Sequence, residues 1–137
     1  MLKAKDIMTK HVISASEDTP IFEAVELLAT NKVTGIPVVN DDLALVGILS
    51  EQDVLRLFHT HEEERDKPVS DFMTQPAIYF DENESLPEVC DCLINNPFRR
   101  VPVTSKGKVV GIISRRDLIK HILQLKEETP ALAEVSK

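Results

Sequence analysis

The sequence predicts a mixed α/β (α+β) fold in which one β-α-β-β-α unit occurs twice. Two observations lead there. The chain repeats itself: at an offset of 65, residues 6–39 meet their partners with 10 identities in 34 positions. The offset then falls to 64, a one-residue deletion in a turn, and five of the eight residues 46–53 recur in 110–117. Self-similarity at a fixed period marks a duplicated structural unit. The second observation is composition. With 137 residues, 42% of them hydrophobic and 28% charged, the chain can bury a core and has room for one ordinary domain or two very small ones.

Both copies read alike, element by element. First comes a short apolar stretch, Val12-Ile13 in one and Ala77-Ile78-Tyr79-Phe80 in the other, too short for a helix and suited to a strand. Helix-start signals follow: Thr19-Pro20, then Ser85-Leu86-Pro87-Glu88, where Ser85 and Glu88 have capping-box spacing. The helices carry Ile21, Ala24, Val25, Leu28 and Leu86, Val89, Cys90, Leu93, an apolar stripe of helical period. Cys90 takes the place of Val25 and reads as a packing residue.

Two strands come next, Ile36-Pro37-Val38-Val39 with Val46-Gly47-Ile48-Leu49, and Val101-Pro102-Val103 with Val109-Val110-Gly111-Ile112-Ile113. Asn40-Asp41-Asp42 and Ser105-Lys106-Gly107-Lys108 have the chemistry of hairpin turns. Pro37 and Pro102 lack an N–H, which places each at an edge or among a strand's first residues. A second helix closes each copy, with Val54, Leu57 and Phe58 or Leu118, Ile122 and Leu125 apolar. The units are set at 1–60 and 69–128, with an acidic connector at 61–68 and a flexible tail at 129–137.

Several function classes are excluded. A net charge of −7 repels phosphate backbones, and one Tyr with no Trp makes a poor stacking surface, so nucleic acid is not an expected partner. The longest apolar run, 43–49, is far short of a membrane span. Lys3, Lys5 and Asp6 leave no secretory apolar region at the start, and a cytoplasmic protein is expected. Cys90 and Cys92 diverge on a helix and lack the second pair of a zinc site. His59-Thr60-His61 before Glu62-Glu63-Glu64 reads as a solvated connector, and no metal is expected. His11 and His121 have no discernible partner. No Gly-rich phosphate loop or nucleophile elbow occurs, so no catalytic residues are assigned and an enzyme is not expected.

The motifs that recur are Asp6-Ile7-Met8-Thr9 with Asp71-Phe72-Met73-Thr74, and Gly35-Ile36-Pro37-Val38-Val39 with Arg100-Val101-Pro102-Val103. Gly47-Ile48-Leu49-Ser50-Glu51-Gln52-Asp53 and Gly111-Ile112-Ile113-Ser114-Arg115-Arg116-Asp117 complete the set. In this order, twice over, they resemble a tandem pair of cystathionine-β-synthase (CBS) domains, a Bateman module, which is expected here to stand without an attached effector domain. The resemblance covers about residues 5–125. It implies two repeats packed about a pseudo-twofold axis, dimerisation into a flat four-repeat disc, and an adenosyl ligand between the repeats. AMP, ADP, ATP, S-adenosylmethionine and sometimes NAD are the family's ligands, and such modules serve as regulatory sensors.

The chemistry of Gly-x-x-Ser-x-x-Asp suits such a ligand. A strand end meets a helix start, whose free N–H groups and positive dipole end favour a phosphate. Ser50 or Ser114 can donate to a phosphate oxygen, and Asp53 or Asp117 offers acceptors to ribose hydroxyls. Gly47 and Gly111 would let a ligand approach the backbone. The same spacing is nearly a capping box that needs no ligand.

Carried over from the family, one pocket combines Gly47, Ile48, Ser50 and Asp53 with Thr74, Ala77, Ile78, Arg99 and Arg100. The other combines Gly111, Ile112, Ser114, Arg115, Arg116 and Asp117 with Thr9, Val12, Ile13, Thr34, Gly35 and Ile36. Apolar members would sandwich an adenine. Arg99 and Arg100 stand where the γ subunit of AMP-activated kinase, a family member, has phosphate-contacting basic residues. Thr34-Gly35 departs from that, leaving the second pocket to Arg115 and Arg116. Two readings stay open: an adenine-nucleotide sensor acting through a homodimer or a regulated partner protein, and a ligand-free dimerisation or scaffold module. A homodimer is expected through the closing helices, because both carry apolar residues on more than one face.

Overall fold

The computed structural model describes residues 2–59, 62–64 and 66–128. The tail expected at 129–137 and Thr60, His61 and Arg65 of the connector region lie outside the described residues. A short helix α1 (Ala4–Ile7) precedes the first repeat, which runs β1 (Ala15–Ser16), α2 (Ile21–Asn31), β2 (Gly35–Val39), β3 (Leu45–Ser50) and α3 (Glu51–Leu55). The second repeat runs β4 (Phe80–Asp81), α4 (Leu86–Asn95), β5 (Arg100–Ser105), β6 (Lys108–Ser114) and α5 (Arg115–Glu128). Each repeat forms a three-stranded sheet, ordered β1-β2-β3 and β4-β5-β6, with one parallel and one antiparallel pair.

The apolar stripes do what their period requires. Ile21, Ala24 and Leu28 are buried on α2, and Leu86, Val89 and Leu93 on α4, while Val25 and Cys90 are half-buried in matching places. The turns also form: Asn40 Oδ1 accepts from the N–H groups of Asp42 and Ala44. In the second hairpin Lys106 and Gly107 both have positive φ, 53° and 82°, as a two-residue turn between twisted strands requires.

Four local expectations are corrected. The first strand of each repeat forms at Ala15–Ser16 and Phe80–Asp81, so Val12-Ile13 and 77–79 lie outside regular structure. The prolines explain the shift. Parallel pairing begins at Ala15↔Val38 and Phe80↔Val103, one residue past Pro37 and Pro102, which have no N–H to give. These prolines are in the middle strand, but the half that holds them has one open edge. Ser85 stands at the N-cap of α4 without a side-chain cap bond, so the capping box expected there does not form. The closing helices are unequal: α3 stops after five residues and continues as a 3₁₀ turn, Arg56–His59, whereas α5 spans 14.

The repeats exchange their leading segments. Ala4, Ile7 and Met8 pack into the core of the second repeat, and Val69, Phe72 and Met73 into that of the first. Backbone bonds fix both exchanges. Thr9 and Ile112 exchange two N–H···O bonds of 2.8 and 2.9 Å; Thr74 and Ile48 exchange the equivalent pair at 2.8 and 3.1 Å. This reciprocity is that of a pseudo-twofold axis. The connector's far end is tied in too, since Lys67 C=O accepts from Ile21 N–H.

Candidate functional site

Each Ser-x-x-Asp corner closes on itself. Ser50 N–H donates to Asp53 Oδ2 at 2.9 Å and its hydroxyl to the same oxygen at 3.0 Å, while Asp53 N–H reaches Ser50 Oγ at 3.4 Å. Thr74, delivered by the exchanged segment, donates its hydroxyl to Asp53 Oδ1 at 3.0 Å. Both carboxylate oxygens are thus engaged, and Asp53 is 1% exposed. The second corner repeats the pattern with Ser114, Asp117 and Thr9, at 2.8 and 3.0 Å from Ser114 N–H and Oγ and 3.3 Å from Thr9 Oγ1. Asp117, however, is only half-buried.

The two glycines have a different partner from the one expected. A Cβ on Gly47 would lie 2.7 Å from Met73 Sδ, and one on Gly111 would collide with the side chain of Met8. Each glycine makes room for the methionine of the exchanged segment, so neither is open to a ligand.

Two cavities lie where the repeats meet. The larger, about 300 Å³, is walled by Thr34, Gly35, Ile36 and Pro37 on one side and residues 97–102 on the other. Ile48, Ser50, Glu51, Gln52, Thr74 and Ile112 line it, with Pro76, Ala77 and Ile78 beside them. Of the first predicted pocket it gathers Ile48, Ser50, Thr74, Ala77, Ile78, Arg99 and Arg100, without Gly47 or Asp53. The smaller cavity, about 200 Å³, gathers Thr9, Ile13, Gly35, Ile36, Ile112, Ser114 and Asp117 of the second. Gly111, Val12, Thr34, Arg115 and Arg116 do not line it; Thr34 faces the larger one. His11 and Val33, unassigned in the sequence, do line it. Pro37 and Pro102, at the open half-edges of β2 and β5, both line the larger cavity.

The arginines divide sharply. Arg100 lines both cavities. Among the described residues its Nε is buried without a hydrogen-bond partner, and burial lowers its pKa against the opposing pull of Asp117. Arg99 is exposed at the larger cavity. Arg115 instead donates from Nη2 to the carbonyls of Leu93 and Asn96, at 3.1 and 3.0 Å, closing the end of α4. Arg116 is exposed. Among the described residues no three His, Cys, Asp or Glu are gathered for a metal, and no helix is long and apolar enough to cross a membrane.

This pair of exchanged β-α-β-β-α repeats is that of a known class. The family model for the CBS domain matches residues 4–60 and 69–124. The chain belongs to the CBS-domain family. An uncharacterized protein of Methanocaldococcus jannaschii, MJ1225, is 37% identical over 116 residues, 85% of this chain but 41% of that protein. The chain thus spans less than two thirds of that relative. The crystal structure of CBSX2 in complex with AMP, from Arabidopsis thaliana, matches at TM-score 0.81 and 32% identity, over 90% of this chain and 98% of the other. The CBS domain pair of protein MJ0100, in complex with methylthioadenosine and S-adenosyl-L-methionine, matches at TM-score 0.73 and 27% identity, over 87% and 94%.

Proposed function

We propose that the chain is a cytoplasmic regulatory module that holds an adenosine-containing ligand (AMP, ADP, ATP or S-adenosylmethionine) between its repeats and is not itself an enzyme. The observation that carries this reading is Arg100. A half-buried guanidinium that lines both cavities and makes no hydrogen bond or ion pair among the described residues is costly unless an anion completes it. A phosphate is the anion a planar fork fits best. Beside it, Ile36, Ile48, Ala77, Ile78 and Ile112 offer apolar faces to an adenine. At the smaller cavity, where Ile36 and Ile112 also stand, half-buried Asp117 has acceptor capacity left for the ribose hydroxyl of a ligand seated there. The relatives solved with AMP or with S-adenosyl-L-methionine support the same ligand class.

Occupancy would act through assembly. Phe58 is 84% exposed, and Leu55, Ile119, Ile122 and Leu123 are exposed beside it in sequence or on α5. Such apolar surface favours a homodimer, or a regulated partner, over these closing helices. Light scattering should give twice the 15.4 kDa chain mass, and Phe58→Asp with Ile122→Asp should return the monomer. A wild-type monomer at tens of micromolar would refute the dimer.

The ligand test is a thermal-shift and calorimetric panel of adenosine, AMP, ADP, ATP and S-adenosylmethionine, since binding to the native state must stabilise it. Micromolar binding of at least one is expected; none below millimolar would leave the scaffold reading. That second reading has its own support in the closed Ser50–Asp53–Thr74 corner, which is complete without any ligand.

A further inference from the structure

We infer that Arg100 couples the two cavities, so that the chain accepts one phosphate-bearing ligand far more readily than two; this rests on the nucleotide reading above. Arg100 and Gly35 line both cavities, as do Ile36 and Ile112. Two phosphates drawn to the same guanidinium would lie close together and repel each other. Among the described residues Arg100 is the one arginine lining the smaller cavity; His11 and Asp117 line it too, and Asp117 adds a negative charge. An anion already seated on Arg100 in the larger cavity therefore leaves the smaller one acidic. A neutral adenosine feels no such penalty, so the coupling is between charges and not between shapes. By linkage, each anionic ligand lowers the other's affinity by the same factor.

The asymmetry comes from one register position. Arg100 pairs across its sheet with Ser114, and Gly35 pairs with Ser50 in the matching place. The first repeat therefore lacks the cation that the second supplies. A Cβ on Gly35 would meet no heavy atom nearer than 3.4 Å, so the backbone there accepts a Cβ at the wall of both cavities.

Calorimetric titration with AMP and with adenosine tests this on the full chain. Adenosine should fill both cavities. The ratio of first to second affinity should be at least tenfold larger for AMP than for adenosine. Gly35→Arg, which gives the first repeat its own guanidinium, should bring that excess below threefold. Arg100→Met should weaken the first AMP at least tenfold while changing adenosine less than twofold. Two equal AMP affinities in the wild type, an excess unmoved by Gly35→Arg, or one adenosine per chain would each overturn the coupling. If neither adenosine nor AMP binds, the coupling is overturned; if ADP, ATP and S-adenosylmethionine fail as well, the nucleotide reading falls with it.

Discussion

The two Ser-x-x-Asp corners share a sequence, a capping geometry and a threonine from the exchanged segment, yet they face different surroundings. Asp53 is buried, doubly engaged by Thr74 and Ser50, and has Arg56 Nη1 at 3.9 Å. Asp117 is half-buried at a cavity, and its Oδ1 receives only the 3.3 Å bond from Thr9. The motif's spacing decides that the carboxylate caps a helix. What lies around the cap decides whether an acceptor is left for a ligand. The Asp53 carboxylate belongs to the fold alone; that of Asp117 belongs to the fold and to a cavity.

The largest expected effects separate these roles. Asp53→Ala removes charge-assisted bonds and strands Ser50 N–H, and should cost about 1.5–3 kcal/mol in urea unfolding. Asp117→Ala loses a more exposed cap and should cost about 0.5–2 kcal/mol. The order reverses for ligand held at the smaller cavity: Asp117→Ala should weaken it roughly ten- to hundredfold, and Asp53→Ala should leave it unchanged. Equal losses of stability with equal losses of affinity would erase the distinction between the corners.

A second comparison sets Gly47 against Gly111. Each faces a methionine from the other repeat, so Gly47→Ala and Gly111→Ala should each cost about 1–3 kcal/mol through overpacking. Shortening the facing residue, by Met73→Ala or Met8→Ala, should recover part of that loss in a double-mutant cycle. If the glycine substitutions spare stability and abolish ligand binding instead, ligand approach is the reason for glycine after all.

The duplication made most of the fold legible, because apolar period and turn chemistry recur in both copies. It could not show the exchange of leading segments. Identical motifs say that residues 6–9 and 71–74 are equivalent, not which sheet each joins. The site was legible to the same degree: Ile48, Ser50, Thr74, Ala77, Ile78, Arg99 and Arg100 meet at one cavity, while Arg115 does not enter the other. Its true role follows from a single difference between the copies. α2 ends on Lys32 in the left-handed conformation, φ 53°, whose N–H satisfies the last carbonyls. The residue matching Lys32 is Pro97, which cannot adopt that φ and also drives Asn96 to an extended φ of −131°. The carbonyls left open at the end of α4 are taken by Arg115.

Arg115→Ala should accordingly cost about 0.5–1.5 kcal/mol and leave nucleotide affinity unchanged. Glu51→Ala, at the matching position in the first repeat, should change stability by less than about 0.5 kcal/mol, because α2 closes its own end. Loss of affinity in Arg115→Ala without loss of stability would return the arginine to the ligand.

The smallest effect concerns Cys90 and Val25, half-buried at equivalent places on α4 and α2. Cys90→Val copies one repeat's choice into the other and should shift stability near pH 7 by less than about 0.5 kcal/mol. A difference should open only in alkali. Burial, and secondarily the charge of Asp91, raise the Cys90 thiol above its usual 9.0. As pH climbs past that value the unfolded chain releases this proton before the folded one does, so the thiol's contribution to stability declines with rising pH. Cys90→Val removes the group and should unfold with a shallower alkaline decline, measured by urea midpoints between pH 8 and pH 10. The same raised pKa leaves little thiolate at neutral pH, and alkylation of Cys90 in the native protein should be slower than in the urea-unfolded chain. Native alkylation as fast as unfolded, together with an unchanged alkaline slope in Cys90→Val, would show that the helix face bearing Cys90 is open in the second repeat where Val25 is packed in the first.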